Sequence, residues 1–276
     1  MATTNIKVSH RPSASPEIAL SALGVLYATS VRIRSGYLSQ VSTRFNSLAE
    51  LNSAVVKCAL CPRLRQYSHR VSVRKRRQFM SWNYCGKPLP GFGDPQAKVM
   101  ILGLAPAAHG GNRTGRMFTG DGSAQFLMAA LHKFNFANRP TSESVSDGLQ
   151  LQEAYMTAIV RCAPPQNKPR PNEIVNCSRY WTQEFHLLRN VRVVLALGRV
   201  AFDTYVKFLR DEGLETGGLK FQHAAFHRLP KPYPALVASY HPSRQNTQTG
   251  KLTMKMFEKV FQEVRTFLAS ENSNAR

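Results

Sequence analysis

Residues 98–122 read KVMILGLAPAAHGGNRTGRMFTGDG, an apolar run that empties into a loop rich in glycine. The run Val99, Met100, Ile101, Leu102 has no polar alternation, so it predicts a strand buried on both faces rather than one with a wet side. Three later segments repeat the pattern: AYMTAIVRC at 154–162, VRVVLALG at 191–198 and ALVASYHP at 235–242. Between and after them, residues 122–134, 170–188, 199–213 and 253–269 space their apolar side chains as amphipathic helices do. Strands alternating with helices imply an α/β fold around a parallel sheet covered on both faces. In such a sheet ligands sit beyond the carboxyl ends of the strands. The functional residues are therefore sought in the strand tails GLAPAAHGG, RCAPPQNKP, LGRVA and SYHPSRQNT.

Composition bounds the partner. Among 276 residues, 37 are Lys or Arg and 16 are Asp or Glu, a formal charge of +21. Such an excess attracts polyanions, and nucleic acid is favoured over a ribosomal or membrane surface. The chain has no apolar run of about 18 residues, so no membrane-spanning helix is expected. A hydrophobic content of 43% supplies a core. Residues 1–45 are rich in Ser, Thr and Arg, with Glu17 their one acid and an apolar stretch from Ile18. They are expected to be a dispensable basic extension, the alternatives being a transit peptide, a signal sequence or a helical tail. Residues 46–276 are expected to form one domain.

The first strand tail has glycines without the Lys-Ser/Thr ending of a P-loop or the spacing of a dinucleotide fingerprint, which argues against a nucleoside triphosphatase. Its backbone can still approach a ligand closely. His241 ends the fourth strand before Pro242 and six polar residues, from Ser243 to Gln248, that have no core to fill. An isolated histidine is more often structural, but that polar tail points to a polar ligand. The five cysteines are an odd number and suit a reducing compartment better than a disulfide framework. Cys58 and Cys61 form a CxxC pair, Cys162 and Cys177 stand fourteen residues apart, and Cys85 is separate. Four thiolates suit zinc or an iron–sulfur cluster, and four unrelated buried thiols are the plainer alternative.

Taken together and in order, GLAPAAHGGNRTGRMFTGDG, VRCAPPQNKP, SYHPSRQNTQTG and the four cysteines resemble the family 5, or type B, uracil-DNA glycosylases of bacteria and archaea, over roughly residues 50–270. The resemblance implies a three-layer α/β/α fold with a central four-stranded parallel sheet. It implies a structural [4Fe-4S] cluster on Cys58, Cys61, Cys162 and Cys177, with Cys85 outside it. It implies a monomeric DNA-repair enzyme that flips out and excises uracil, hypoxanthine and xanthine, working in the bacterial nucleoid or, if the N-terminus is a transit peptide, in an organelle.

Residue by residue, the resemblance places Asp121 on the attacking water and His241 on the departing base. Gly103, Ala105, Pro106, Phe118 and Asn167 would form the base pocket, with Phe118 stacking on the flipped base. Arg244, Gln245 and Asn246 would grip DNA. Leu104 and Ala105 stand where stricter relatives carry an acid or amide, and Ala158 where relatives carry a base-reading Asn. The first departure leaves the attacking water to Asp121, and the second implies looser base selection, because discrimination comes from polar groups that the wrong base leaves unpaired. The competing readings are a stricter family 4 enzyme and a non-catalytic iron–sulfur DNA-binding protein on the same fold.

Overall fold

The computed structural model describes residues 44–273, so the extension expected at 1–45 lies almost wholly outside the described residues. Helix α1 (Leu48–Lys57) starts where the Ser47 hydroxyl accepts the Glu50 N–H at 3.2 Å, and it buries Leu51 and Val55. Helix α2 (Pro62–Arg74) opens with Pro62 in its first turn, where a missing N–H costs nothing. There follow β1 (Phe92–Gly93), β2 (Val99–Gly103), the single turn α3 (Gly111–Thr114), α4 (Gly122–Lys133), β3 (Ala154–Ala158) and α5 (Pro171–Leu187). The chain continues with β4 (Val193–Leu197), α6 (Arg199–Asp211), β5 (Phe226–His227), β6 (Ala235–Ser239), α7 (Arg244–Gln248) and α8 (Met254–Ser273).

The sheet order is β1-β3-β2-β4-β6-β5. Its inner four strands are parallel, with Val99 opposite both Ala154 and Val193, and Val193 opposite Ala235. These are the four strands expected from the sequence, and every residue of each is buried. The two edge strands are antiparallel and two residues long, too short to leave a periodic signal. Alternation along the inner strands divides the core in two. Met100, Leu102, Val194, Ala196 and Leu236 pack with Trp181, Phe202 and Tyr205 of α5 and α6. Val99, Ile101, Val193, Leu195 and Val237 pack with Leu127, Leu131, Phe257 and Phe261 of α4 and α8. The result is a three-layer α/β/α fold.

The chain leaves β2 for β3 on one side and reaches β4 on the other, so the strand order reverses beside β2. A crevice opens at such a switch point, beyond the carboxyl ends of the strands. One element departs from the sequence reading. Helix α2 has no counterpart among the helices expected from spacing: it runs to Arg74 on a narrow stripe of Leu64 and Ser68, too thin to stand out against its cations.

Candidate active site

The loop from β2 to α4 is held from both sides. Below it, Arg116 pairs with Asp147 at 2.6 Å, and Asp147 also accepts the backbone N–H groups of Glu143, Ser144 and Leu149. Burial pushes the Asp147 carboxyl up, but these donors outweigh it and hold the group far below the ordinary range. Above it, Arg113 donates from Nε to the His109 carbonyl at 2.9 Å and from Nη2 to the Gly120 carbonyl at 2.7 Å. The same guanidinium lies 4.0 Å from the ring centroids of both Phe79 and Trp82, so the loop is stapled to the segment after α2.

Asp121 is what this frame presents. It caps α4, with Oδ1 accepting the Ala124 N–H at 2.9 Å. Desolvation raises its pKa, partly offset by the N–H groups of Ala124 and Ser123 and by the Arg113 charge. Its Oδ2 occupies the space that a Cβ on residue 110 would need, which is why Gly110 is a glycine. Across the crevice, β6 ends at Ser239 and delivers His241. Desolvation pushes its pKa down to about 4, so the imidazole is neutral at pH 7. Phe118, held at φ +47°, stacks on His241 with ring centroids 6.4 Å apart. A Cβ on Gly103 would strike the Phe118 ring. Gln166 and Asn167 are both left-handed, at φ +55° and +57°, an uncommon pair that marks the 163–168 loop as shaped for a purpose.

Asp121 and His241 line one cavity of about 890 Å³, with Leu104, Ala105, Asn167, Arg244 and Gln245 also on its walls. Four expected site residues sit elsewhere. Gly103 and Pro106 are buried, and Phe118 fills the space behind His241 against Gly103. Asn246 turns inward: its Nδ2 donates to the His241 carbonyl at 2.8 Å, fixing α7 to the strand tail. Ala158 is buried with Leu89 and Met117. The opposite wall is lined by Tyr67, Arg76, Gln78, Phe79 and His109; the sequence marks its basic run, Arg74 to Arg77, as a solvated or phosphate-contacting segment but singles out none of these five as site residues. The His109 Nδ1 is 3.0 Å from the Tyr84 hydroxyl. The signal was present in RKRRQFMSWNY at 74–84, where cations alternate with aromatics, a pattern suited to nucleic acid.

The four cysteines of the two pairs converge behind this site. Cys58 and Cys61 flank the α1–α2 turn, Cys162 follows β3 and Cys177 lies in α5, and their thiols act on one another electrostatically. Burial pushes the Cys162 and Cys177 thiols up to about 12. N–H groups nonetheless point at sulfur: the Arg161 amide to Cys177 at 3.3 Å and Asn176 Nδ2 to Cys61 at 3.8 Å. Two buried and two half-buried sulfurs, with donors aimed at one of each, suit thiolates held by a cationic centre. Among the described residues no three His, Cys, Asp or Glu side chains close up as ligands of one metal ion. A wholly buried ion pair, Arg161 to Glu184, ties the Cys162 loop to α5, and Glu184 also accepts from Thr157, Tyr155 and Gly91. Cys85 lies apart, against Gly115.

Residues 90–265 match the uracil DNA glycosylase superfamily. The chain is 48% identical to the type-5 uracil-DNA glycosylase of Thermus thermophilus, over 75% of this chain and 92% of that one. It is 43% identical to the type-5 enzyme of Pyrobaculum aerophilum, over 81% and 94%, but only 27% identical to the type-4 enzyme of the same organism, over 58% and 74%. The chain belongs to the type-5 uracil-DNA glycosylases. That membership makes it a DNA glycosylase, a hydrolase of N-glycosyl bonds, and sets aside both the stricter type-4 reading and the non-catalytic one.

In this type-5 glycosylase the space claimed by Oδ2 of Asp121 yields a prediction. Gly110→Ala drives a Cβ into the carboxylate, and displacing a reacting group by about 1 Å costs on the order of 100-fold in rate. Single-turnover base release should fall by about that factor while the affinity for abasic-site duplex is unchanged. A weakened affinity with an unchanged rate would show that Gly110 shapes the DNA surface instead.

Proposed function

We propose that this enzyme flips uracil out of DNA and hydrolyses its N-glycosyl bond in base excision repair, and that it treats hypoxanthine and xanthine likewise. The observation that carries this reading is that a half-buried, desolvated carboxylate and a neutral imidazole face one cavity from opposite sides of the crevice. Extrusion of the nucleotide costs a few kcal/mol, which its contacts in the cavity offset. As the bond to C1′ breaks, positive charge grows on the sugar and the electron pair leaves with the base. Asp121 orients the attacking water, takes its proton and favours the oxocarbenium-like sugar. His241, neutral and able to donate, stabilises the base anion at a carbonyl oxygen. Asn167 reads the base edge, and Arg244 and Gln245 hold the strand at the rim. All of these groups come from one chain, so a monomer suffices.

The breadth of base selection follows from what the walls lack. Ala158 stands where stricter relatives carry a base-reading Asn, so no side-chain amide from β3 fixes one base in one register. With that one base-reading amide missing, a purine with a carbonyl at the deaminated position leaves no such group unpaired and is penalised little. Single-turnover assays on duplexes carrying uracil, hypoxanthine, xanthine or no lesion test this directly. Release of all three modified bases supports it, and release of uracil alone restricts the enzyme to that base.

Cys58, Cys61, Cys162 and Cys177 would hold a [4Fe-4S] cluster, which when bound supplies structural cross-links and no step of the hydrolysis. The protein as purified should absorb at about 400 nm and carry about four irons per chain, and Cys162→Ser should lose both along with thermal stability, whereas Cys85→Ser keeps both. Zinc in place of iron, or a colourless and fully stable protein, would overturn the assignment.

A further inference from the structure

The cavity wall that follows α2 carries a surface of its own. Helix α2 ends at Lys75, whose φ of +40° swings the chain off the helix axis and across the mouth of the cavity. Arg76 and Gln78 line the catalytic cavity and, with Arg77, also line an open groove of about 680 Å³ beside it. Cavity and groove are thus continuous over these side chains. Arg74, Arg76, Arg77 and Gln78 are exposed. None of the cations at 74–77 is paired with a carboxylate among the described residues. Lys75 donates instead to the Met80 carbonyl, bracing the turn, and Met80 is 59% exposed.

This ridge is fixed relative to the chemistry. Phe79 and Trp82, immediately after it, carry the Arg113 guanidinium, which is bonded to the backbone of the loop that presents Asp121. A phosphate seated on the ridge is therefore registered against the carboxylate. Arg244 and Gln245 stand on the cavity rim as well, supplied by α7 after the β6 tail.

We infer that the ridge at residues 74–78 is the track for the lesion strand's phosphate backbone on one side of the flipped nucleotide, with Arg76 and Arg77 each taking a phosphate. Unpaired cations in a row beside a cavity that admits one nucleotide fit a polyanion whose charges recur along a chain. The inference rests on the glycosylase reading of the cavity. It goes beyond that reading in assigning to this segment a part in positioning the strand and none in the chemistry.

The test is an anisotropy titration of the full chain against a duplex carrying a tetrahydrofuran abasic-site analogue, over a range of salt concentrations, with single-turnover uracil excision at saturating enzyme alongside. Arg76→Gln/Arg77→Gln is compared with Arg189→Gln/Arg192→Gln. The latter removes the same charge from exposed positions at the other end of the sheet, where the Arg192 amide meets the Lys98 carbonyl. Loss of two phosphate contacts should lower the slope of log K against log salt by about 2 and weaken binding about tenfold or more at low salt. The control pair, which lines no part of the cavity, should keep both the wild-type slope and the wild-type excision rate at saturation. An unchanged slope in the ridge variant, an equal fall in the control, or a lost rate at unchanged affinity would each overturn the inference. Absence of base release by the wild-type enzyme would instead count against the glycosylase reading and leave the binding comparison intact.

Discussion

Asp121→Asn should lower single-turnover excision by about 10²- to 10⁴-fold while leaving the fold as stable as before. The choice of asparagine matters because Asp121 has two jobs. Its Oδ1 caps α4, and removing a cap by alanine costs about 1 kcal/mol by itself. Asparagine caps as well as aspartate does, so the substitution isolates the charge. Desolvation raises the Asp121 pKa, which means that the native protein holds the ionised form at a cost near neutral pH. Above the raised value the native state carries a charge that the unfolded chain solvates better, so removing that charge should keep or slightly increase the thermal midpoint at pH 7. A function retained against stability is expected of an active-site carboxylate. The pH profile supplies a second reading. Wild-type excision should fall as pH drops through the raised Asp121 value, earlier than an ordinary carboxylate would require, and the residual rate of the asparagine variant should lack that limb. An undiminished rate, or an acid limb unchanged by the substitution, would move the water-directed role to another group.

His241→Ala should cost about 10²- to 10³-fold on uracil, the scale of losing one preorganised donor to a developing anion, and less on a purine lesion that leaves more readily. The imidazole suits this task because it is neutral. Burial pushes its pKa down to about 4, so at pH 7 it donates a hydrogen bond without presenting a full charge to the bare cavity. The same shift has a signature in stability. Between the ordinary histidine value and about 4 the unfolded chain takes up a proton that the native state refuses, so stability contributed by His241 is complete above about pH 6.5 and declines as pH falls through that window. His241→Gln removes this titration while retaining a donor, so it should recover part of the rate and flatten the acid side of the stability curve. Equal losses on uracil and hypoxanthine would contradict the leaving-group role. An unaltered stability profile would show that the imidazole is not as dry as its setting against Phe118 indicates.

The elements of the fold were legible because their signals are local. Val99 to Leu102 could not be half-wet, Gly103 is the observed end of its strand while Pro242 stands three residues past the observed end at Ser239, and the helices announced themselves by spacing that extends over three or four turns. The strand tails then pointed to His241 and its polar successors, since a parallel sheet gathers its carboxyl ends on one side whatever the strand order, while Asp121 and Asn167 were named through the family resemblance. The cysteine pairs were visible as spacing, although what brings all four together is the stacking of α1, α2 and α5 on one face.

The amino-acid sequence by itself thus determined the layers, the end of the sheet that does chemistry and the residue types gathered there, because apolar periodicity and glycine or proline punctuation act over a few residues. Only the tertiary structure decided which of those residues meet. Gly110 must lack a Cβ because Asp121, eleven residues on, claims its space. Asn246 faces inward because α7 needs a tether, and Phe118 lies behind His241. The wall at 74–84 reaches the cavity through Arg113, some thirty residues later in the chain. These contacts are set by loop closure in three dimensions, and neither side chain of such a pair records the other's position in its own neighbourhood of sequence.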